Sequence, residues 1–147
     1  MESIYKIAEY FLSKDSMSHK KLQKLCYYAQ AWYLANYGRP LTANRFEAWV
    51  HGPVSPDLYS EYRDWGWVAI PKQKNEPQLK DDTVKELLDK VFETYGSYDG
   101  DMLEKITHAE EPWREARKGC TSDAYSRNPI SFESMKKYYG QRIGRKW

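Results

Sequence analysis

The residues best suited to acid–base, nucleophilic or metal chemistry are His19, His51 and His108, with Cys26 and Cys120 as thiols. Their spacing is poor in known chemistry. No H-E-x-x-H pair offers two imidazoles on one helix face, and His108-Ala109-Glu110 has the H-x-E half of a zinc deaminase without the P-C-x-x-C that supplies the thiolates. Glycine-rich phosphate loops, a Walker lysine and a G-x-S-x-G elbow are also missing, so no cofactor or metal is expected. Ser55 lies near His51, but its position suits a helix cap, which occupies the hydroxyl with backbone N–H groups. Cys26 falls on an apolar helix face and reads as an inert small hydrophobe. What remains is a cluster in "FEAWVHGPVSPDLYSEYR", residues 46–63, where Glu47, Trp49 and His51 share one parity. His51 there reads either as a general base or as an imidazole held by a nearby carboxylate or backbone group.

The elements that must position this cluster follow from periodicity. "FEAWV" alternates with a period of two, with Phe46, Ala48 and Val50 set towards the core and Glu47, Trp49 and His51 set outward or along a groove. Gly52 permits a turn that most residues resist, and Pro53 fixes the next φ. Ser55 reads as an N-cap, Pro56 as the first helical residue and Asp57 as a first-turn acid, with Leu58, Tyr59 and Tyr62 giving that helix an apolar side. The segment is therefore a rigid strand-turn-helix corner. A second short strand at Trp67–Ile70 is expected to pair with it, because a lone strand leaves backbone groups unmatched.

Elsewhere the spacing is helical. Ile4, Ile7, Ala8, Phe11 and Leu12 follow a Ser3 cap. Leu22, Leu25, Cys26, Ala29, Trp32 and Tyr33 follow a Ser18 cap and close at Gly38-Arg39-Pro40. Val84, Leu87, Leu88, Val91, Phe92 and Tyr95 form the cleanest stripe, with Thr83 and Glu86 as a capping box and Gly96 as the stop. Shorter helices follow Asp99-Gly100-Asp101, Pro112 and Ser131; the second carries Trp113 and stops at Gly119, and the third has Ile130 and Met135 placed for a hydrophobic staple. "AIPKQKNEPQ" is a loop. The expected fold is mainly α, one domain over residues 1–147 with a small β-ribbon.

Composition narrows the function classes. The chain has 147 residues, one domain's length, enough to bury roughly 70% of its unfolded surface. Two cysteines build no disulfide framework, the acidic start "MESIYKIAEYF" is not a secretory signal, and no apolar run approaches a membrane span. A soluble cytoplasmic protein is expected. With 23 basic against 21 acidic residues, nucleic acid is not an expected partner. Arg142, Arg145 and Lys146 form a basic tail, residues 141–147. Tyr, Trp and Phe make up 16% of the chain, with 13 Tyr and 6 Trp, which suits an aromatic core or an interface.

"KLQKLCYYAQAWYLANYGRPLTANRFEAWVHGPVSPDLYSEYR", "ITHAEEPWREAR" and "PISFESMKKYY" resemble the Panacea domain, the family of SocA-like antitoxins and GepA-like phage-associated proteins. The most specific run is a helix, then Gly38-Arg39-Pro40-Leu41, Phe46-Glu47-Ala48-Trp49, Gly52-Pro53-Val54 and Leu58-Tyr59, with Thr107-His108 and Pro112-Trp113 as a second anchor. The resemblance covers about residues 3–140. It implies an antitoxin that silences a cognate toxin, encoded in a neighbouring gene, by direct protein contact, and no enzyme activity. Some members carry an added DNA-binding domain, for which this chain has no room. The corner then has two readings: Glu47, Trp49, His51, Asp57 and Tyr59 meet the partner, or they and the turn residues Gly52, Pro53 and Pro56 determine the fold. Two other functions stay open, an adaptor that delivers its target to a protease and a hydrolase using His51 or His108 with Glu47 or Glu110.

Overall fold

One helix organises the molecule. In the computed structural model, which describes residues 1–143, α2 (His19–Tyr37) is buried at every residue from Leu22 to Leu34. Around it pack α1 (Ile4–Lys14), α4 (Asp82–Tyr95), α5 (Gly100–His108), α7 (Phe132–Gly140) and the hairpin of β1 (Glu47–Trp49) and β2 (Gly52–Val54). α3 (Pro56–Tyr62) and α6 (Glu111–Ala116) complete seven helices among the described residues. The fold is mainly α with a small β-ribbon, as the periodicity predicts.

The caps explain where the helices start. Ser3, Ser18, Ser55 and Ser131 each accept a backbone N–H of their own first turn. Gly38 ends α2 at φ +74°, returning its N–H to the Leu34 carbonyl at 2.9 Å. α4 departs from expectation. Asp81, not Thr83, is its N-cap, accepting from Val84 N at 2.9 Å. A carboxylate matches both the N–H and the positive helix end, so it outcompetes the hydroxyl two residues later. The helix led by Pro112 ends at Ala116, and Gly119 lies beyond it in a turn at φ +92°. Arg145 and Lys146 lie outside the described residues.

Because α2 has no solvent face between Leu22 and Leu34, the polar side chains of that stretch act inside the protein. Gln30 Oε1 accepts from Leu41 N (2.8 Å) and Thr42 N (3.1 Å), and its Nε2 donates to Thr42 O at 2.9 Å. Gln23 does the same for Ser55, with bonds of 2.9 and 3.2 Å. Each glutamine stands in for a missing backbone partner and ties a loop to the central helix. Between them lies an aromatic core. Tyr28 stacks on Tyr95 at 3.9 Å, and Trp32 Nε1 donates to the Tyr95 hydroxyl at 2.9 Å. Glu110 is sunk into this core, accepting from the Tyr28 (2.7 Å) and Tyr139 (2.9 Å) hydroxyls.

The strand pairing differs from the sequence expectation. β1 pairs with β2 directly, with Glu47 opposite Val54, Ala48 opposite Pro53 and Trp49 opposite Gly52. Ile70 instead bridges Met17 through bonds of 2.8 and 3.2 Å, and Trp67 is exposed. The other edge of β1 is covered by residues 128–130: Ala48 N donates to Asn128 O, and Ile130 N to Phe46 O, both at 2.8 Å. Ala48 therefore directs its N–H away from β2, so Pro53 opposite it loses no ladder bond.

Candidate functional site

The corner is locked at three points. Gly52 has φ +109°, and a Cβ there would lie 2.5 Å from Lys24 Cε and 3.1 Å from Thr107 Oγ1. Only glycine fits both the backbone and the contact. Gln23 pins Ser55, and Ser55 caps α3, whose first turn includes Pro56 and Asp57. Behind the hairpin, buried Arg117 donates to Ala48 O at 3.0 Å and Ala124 O at 2.5 Å, while Trp113 Nε1 donates to Trp49 O at 2.9 Å.

Glu47 corrects the expected alternation. It is 1% exposed rather than outward. Its carboxylate receives Trp49 Nε1 (2.9 Å), Arg127 Nε (3.1 Å) and both Arg45 donors (2.8 and 3.1 Å). Burial alone would raise its pKa, but these bonds outweigh it and hold the carboxyl below its usual range. The far face of β1 is thus roofed by arginines and an indole, a cover that strand period cannot reveal. Val50 is also not core. It is half-buried in the hairpin loop, beyond the end of β1.

Trp49, His51 and Tyr59 come together. The Trp49 and Tyr59 rings are 5.0 Å apart, with Arg127 stacked over the indole at 5.4 Å. His51 is exposed, with Nδ1 3.3 Å from Glu104. All three line a cavity of about 580 Å³, whose wall also includes His19, Lys24, Arg63 and Trp67. Asp57 is not in that wall; it accepts from Asn44 Nδ2 at 2.6 Å on the open surface.

The cavity floor is electrostatically unusual. Lys24 is 1% exposed and lines the cavity, and among the described residues its ammonium makes no hydrogen bond or ion pair. Burial, reinforced by Lys20 and opposed by Glu104, lowers its pKa to about 7. His19 is also buried, against Gln23 and Tyr59, and burial with the Lys24 charge lowers it to about 4. Lys20 is spent on Asp101 at 2.8 Å and on Glu104.

The His/Glu pairs considered for hydrolysis are not assembled. His51 meets Glu104 rather than Glu47. Glu110 takes tyrosine hydroxyls, and His108 stacks on Trp113 at 3.8 Å with its buried Nε2 unpartnered among the described residues. Cys26 is buried, and burial raises its thiol far above the usual range, as befits an inert packing residue. Among the described residues no helix is long and apolar enough to cross a membrane.

Comparison with known proteins identifies the family. A family model described as antitoxin SocA-like, Panacea domain, matches residues 22–114. The chain belongs to the Panacea-domain family of SocA-like antitoxins. Antitoxin SocA of Caulobacter vibrioides (strain NA1000 / CB15N) is 30% identical over 109 residues, covering 66% of this chain and 58% of that relative. The chain therefore spans under two thirds of the relative's length. No solved structure matches it.

Within this Panacea domain, the matched residues run from the buried part of α2 through the hairpin, α3 and α5 into α6. Sequence reading found the first strand, the turn at Gly52-Pro53 and the cap of α3, but not the second strand at Gly52–Val54. It missed Gln23 and Lys24, because a polar residue inside a helical stripe normally marks a solvated flank. The available signal was the stripe itself: "LCYYAQAW" leaves almost no polar arc, so the helix must be surrounded and its remaining polar side chains must be interior.

Proposed function

We propose that this chain is an antitoxin that neutralises a protein toxin by direct binding, and that the toxin seats on the hairpin corner around the cavity mouth. Membership of the SocA-like antitoxin family supports the first half. The observation that carries the second is the Trp49–Tyr59 pair, two adjacent rings on a corner pinned by Gln23, Arg117 and Trp113. Tryptophan and tyrosine anchor interfaces because they bury large area with little rotamer freedom to lose. The corner's turn and helix start are fixed by Gly52, Pro53 and Pro56, which lowers the ordering cost of binding. Trp49 and Tyr59 supply the anchors, with His51 and Asp57 at the polar rim. Glu47 acts beneath them, orienting the indole through its 2.9 Å bond.

The toxin is expected in a neighbouring reading frame. Co-expression of that frame with this chain should restore growth. Trp49→Ala should lose the rescue while keeping its helical circular dichroism, and Lys74→Ala, on the exposed loop, should keep both. Full rescue by folded Trp49→Ala would place the neutralising surface elsewhere. Direct neutralisation leaves the toxin intact in a complex; disappearance of the toxin dependent on a host protease would instead indicate delivery to that protease.

A further inference from the structure

The cavity beneath the corner contains an unmatched charge. Lys24 reaches its floor with its side chain 1% exposed and its ammonium without an acceptor among the described residues. Nearby carboxylates do not supply one. Asp101 and Glu104 are engaged with Lys20, Glu104 also meets His51, and Asp99 caps α5 through Met102 N at 2.8 Å. An ammonium at the inner wall of a cavity, opposed only by the charge of a Glu104 already shared with Lys20 and His51, is costly, and that cost falls if an anion enters beside it.

We propose that this cavity binds an organic carboxylate carried on an apolar stem, with the Lys24 ammonium meeting the carboxylate and the rings of Trp49, Tyr59 and Trp67 enclosing the stem. The volume of about 580 Å³ lies in the range of small-ligand pockets. A singly charged group fits better than a phosphate. The floor offers one ammonium and a His19 imidazole kept neutral near pH 7, not an arginine fork, and Asp99 and Asp101 at the wall would repel a dianion. Arg63, also in the wall, favours an anion over a neutral guest. A free carboxylic acid and a glutamate side chain of a bound protein carry this same chemistry. The inference stands on the cavity alone, so it is tested without any toxin and can fail or succeed independently of neutralisation.

The test is an NMR titration of the full chain, following lysine Cε and tryptophan indole signals, with three probes. These are 3-phenylpropionate, its neutral amide 3-phenylpropionamide, and N-acetylglutamate N-methylamide. Saturable shifts of Lys24 and of Trp49 are expected with the carboxylates, at the millimolar affinity usual for fragments. The amide should bind at least about tenfold more weakly, the size of one charge-assisted hydrogen bond, and Lys24→Met should lose the same factor for the acid. Tighter binding of 3-phenylpropionate assigns a free acid as the natural source; tighter binding of the glutamate derivative assigns a protein side chain. Equal binding of acid and amide, or no saturable shift with either carboxylate, overturns the proposal. The acid–amide comparison uses the unmodified protein, so it holds even if Lys24→Met folds poorly.

Discussion

Two ionisable side chains are buried close to the same central helix, and they are treated in opposite ways. Glu110 sits in the aromatic core with two tyrosine hydroxyls donating to it, at 2.7 and 2.9 Å. Lys24 sits under the hairpin with no acceptor among the described residues, facing an open cavity. The first arrangement is closed, and it ties α2, α7 and the start of α6 into one packing solution. The second is incomplete, and it lies where Trp49, His51 and Tyr59 gather. A satisfied buried charge specifies structure, whereas an unsatisfied one beside a cavity lowers stability and makes a place for something else to bind.

The largest expected effect comes from breaking the closed side. Tyr28→Phe with Tyr139→Phe removes two hydroxyl donors from Glu110, and losing two buried hydrogen bonds in this way costs about 2–5 kcal/mol. Chemical denaturation should show it as a large drop in midpoint. A double mutant as stable as the parent would mean Glu110 is not held by these hydroxyls.

The open side should respond with the opposite sign. Lys24→Met keeps the length of the side chain and removes the charge, so stability should rise by about 1–4 kcal/mol. The same residue predicts a pH effect. Its folded pKa of about 7 lies below the ordinary 10.5, so between these values the unfolded chain holds a proton that the folded one has released. Stability therefore rises with pH through that window, by about 2 kcal/mol from pH 7 to 9, and is lost again as pH falls through 7. The buried tyrosines 27, 28 and 139 are raised above 10 and act only beyond that range. Melting curves at pH 7 and 9 should separate in the parent and nearly coincide in Lys24→Met. A parent with no separation would contradict the buried, unpaired ammonium.

Gly52→Val tests the joint between the two regions. The +109° φ and the approach of Lys24 Cε predict a loss of about 1–3 kcal/mol from backbone strain. A variant that melts like the parent but no longer rescues growth would assign Gly52 to binding instead of folding.

The difference between the regions also explains what could be read in advance. The closed region follows local rules. Ser18 and Gly38 bracket α2, and Ser131, flanked by the buried Ile130 and Met135, starts α7. Short-range pattern is enough there, because each cap acts within one turn. The corner depends on contacts distant in sequence. Glu47 turns inward because Arg127 reaches it from 80 residues away, and β1 finds its second edge in residues 128–130. Lys24 looks like an ordinary helix-flank lysine until the hairpin closes over it. Strand alternation could predict Ala48 as core but not an arginine cover for its neighbour, so the outward placement of Glu47 failed.

The most direct measurement is calorimetric titration of the toxin from the neighbouring reading frame into the parent chain and into Trp49→Ala, each checked for the same helical spectrum. If the corner is the neutralising surface, Trp49→Ala should weaken binding by about 2 kcal/mol or more, roughly thirtyfold in Kd, with Lys74→Ala unchanged. Equal affinities for the parent and a correctly folded Trp49→Ala would contradict it.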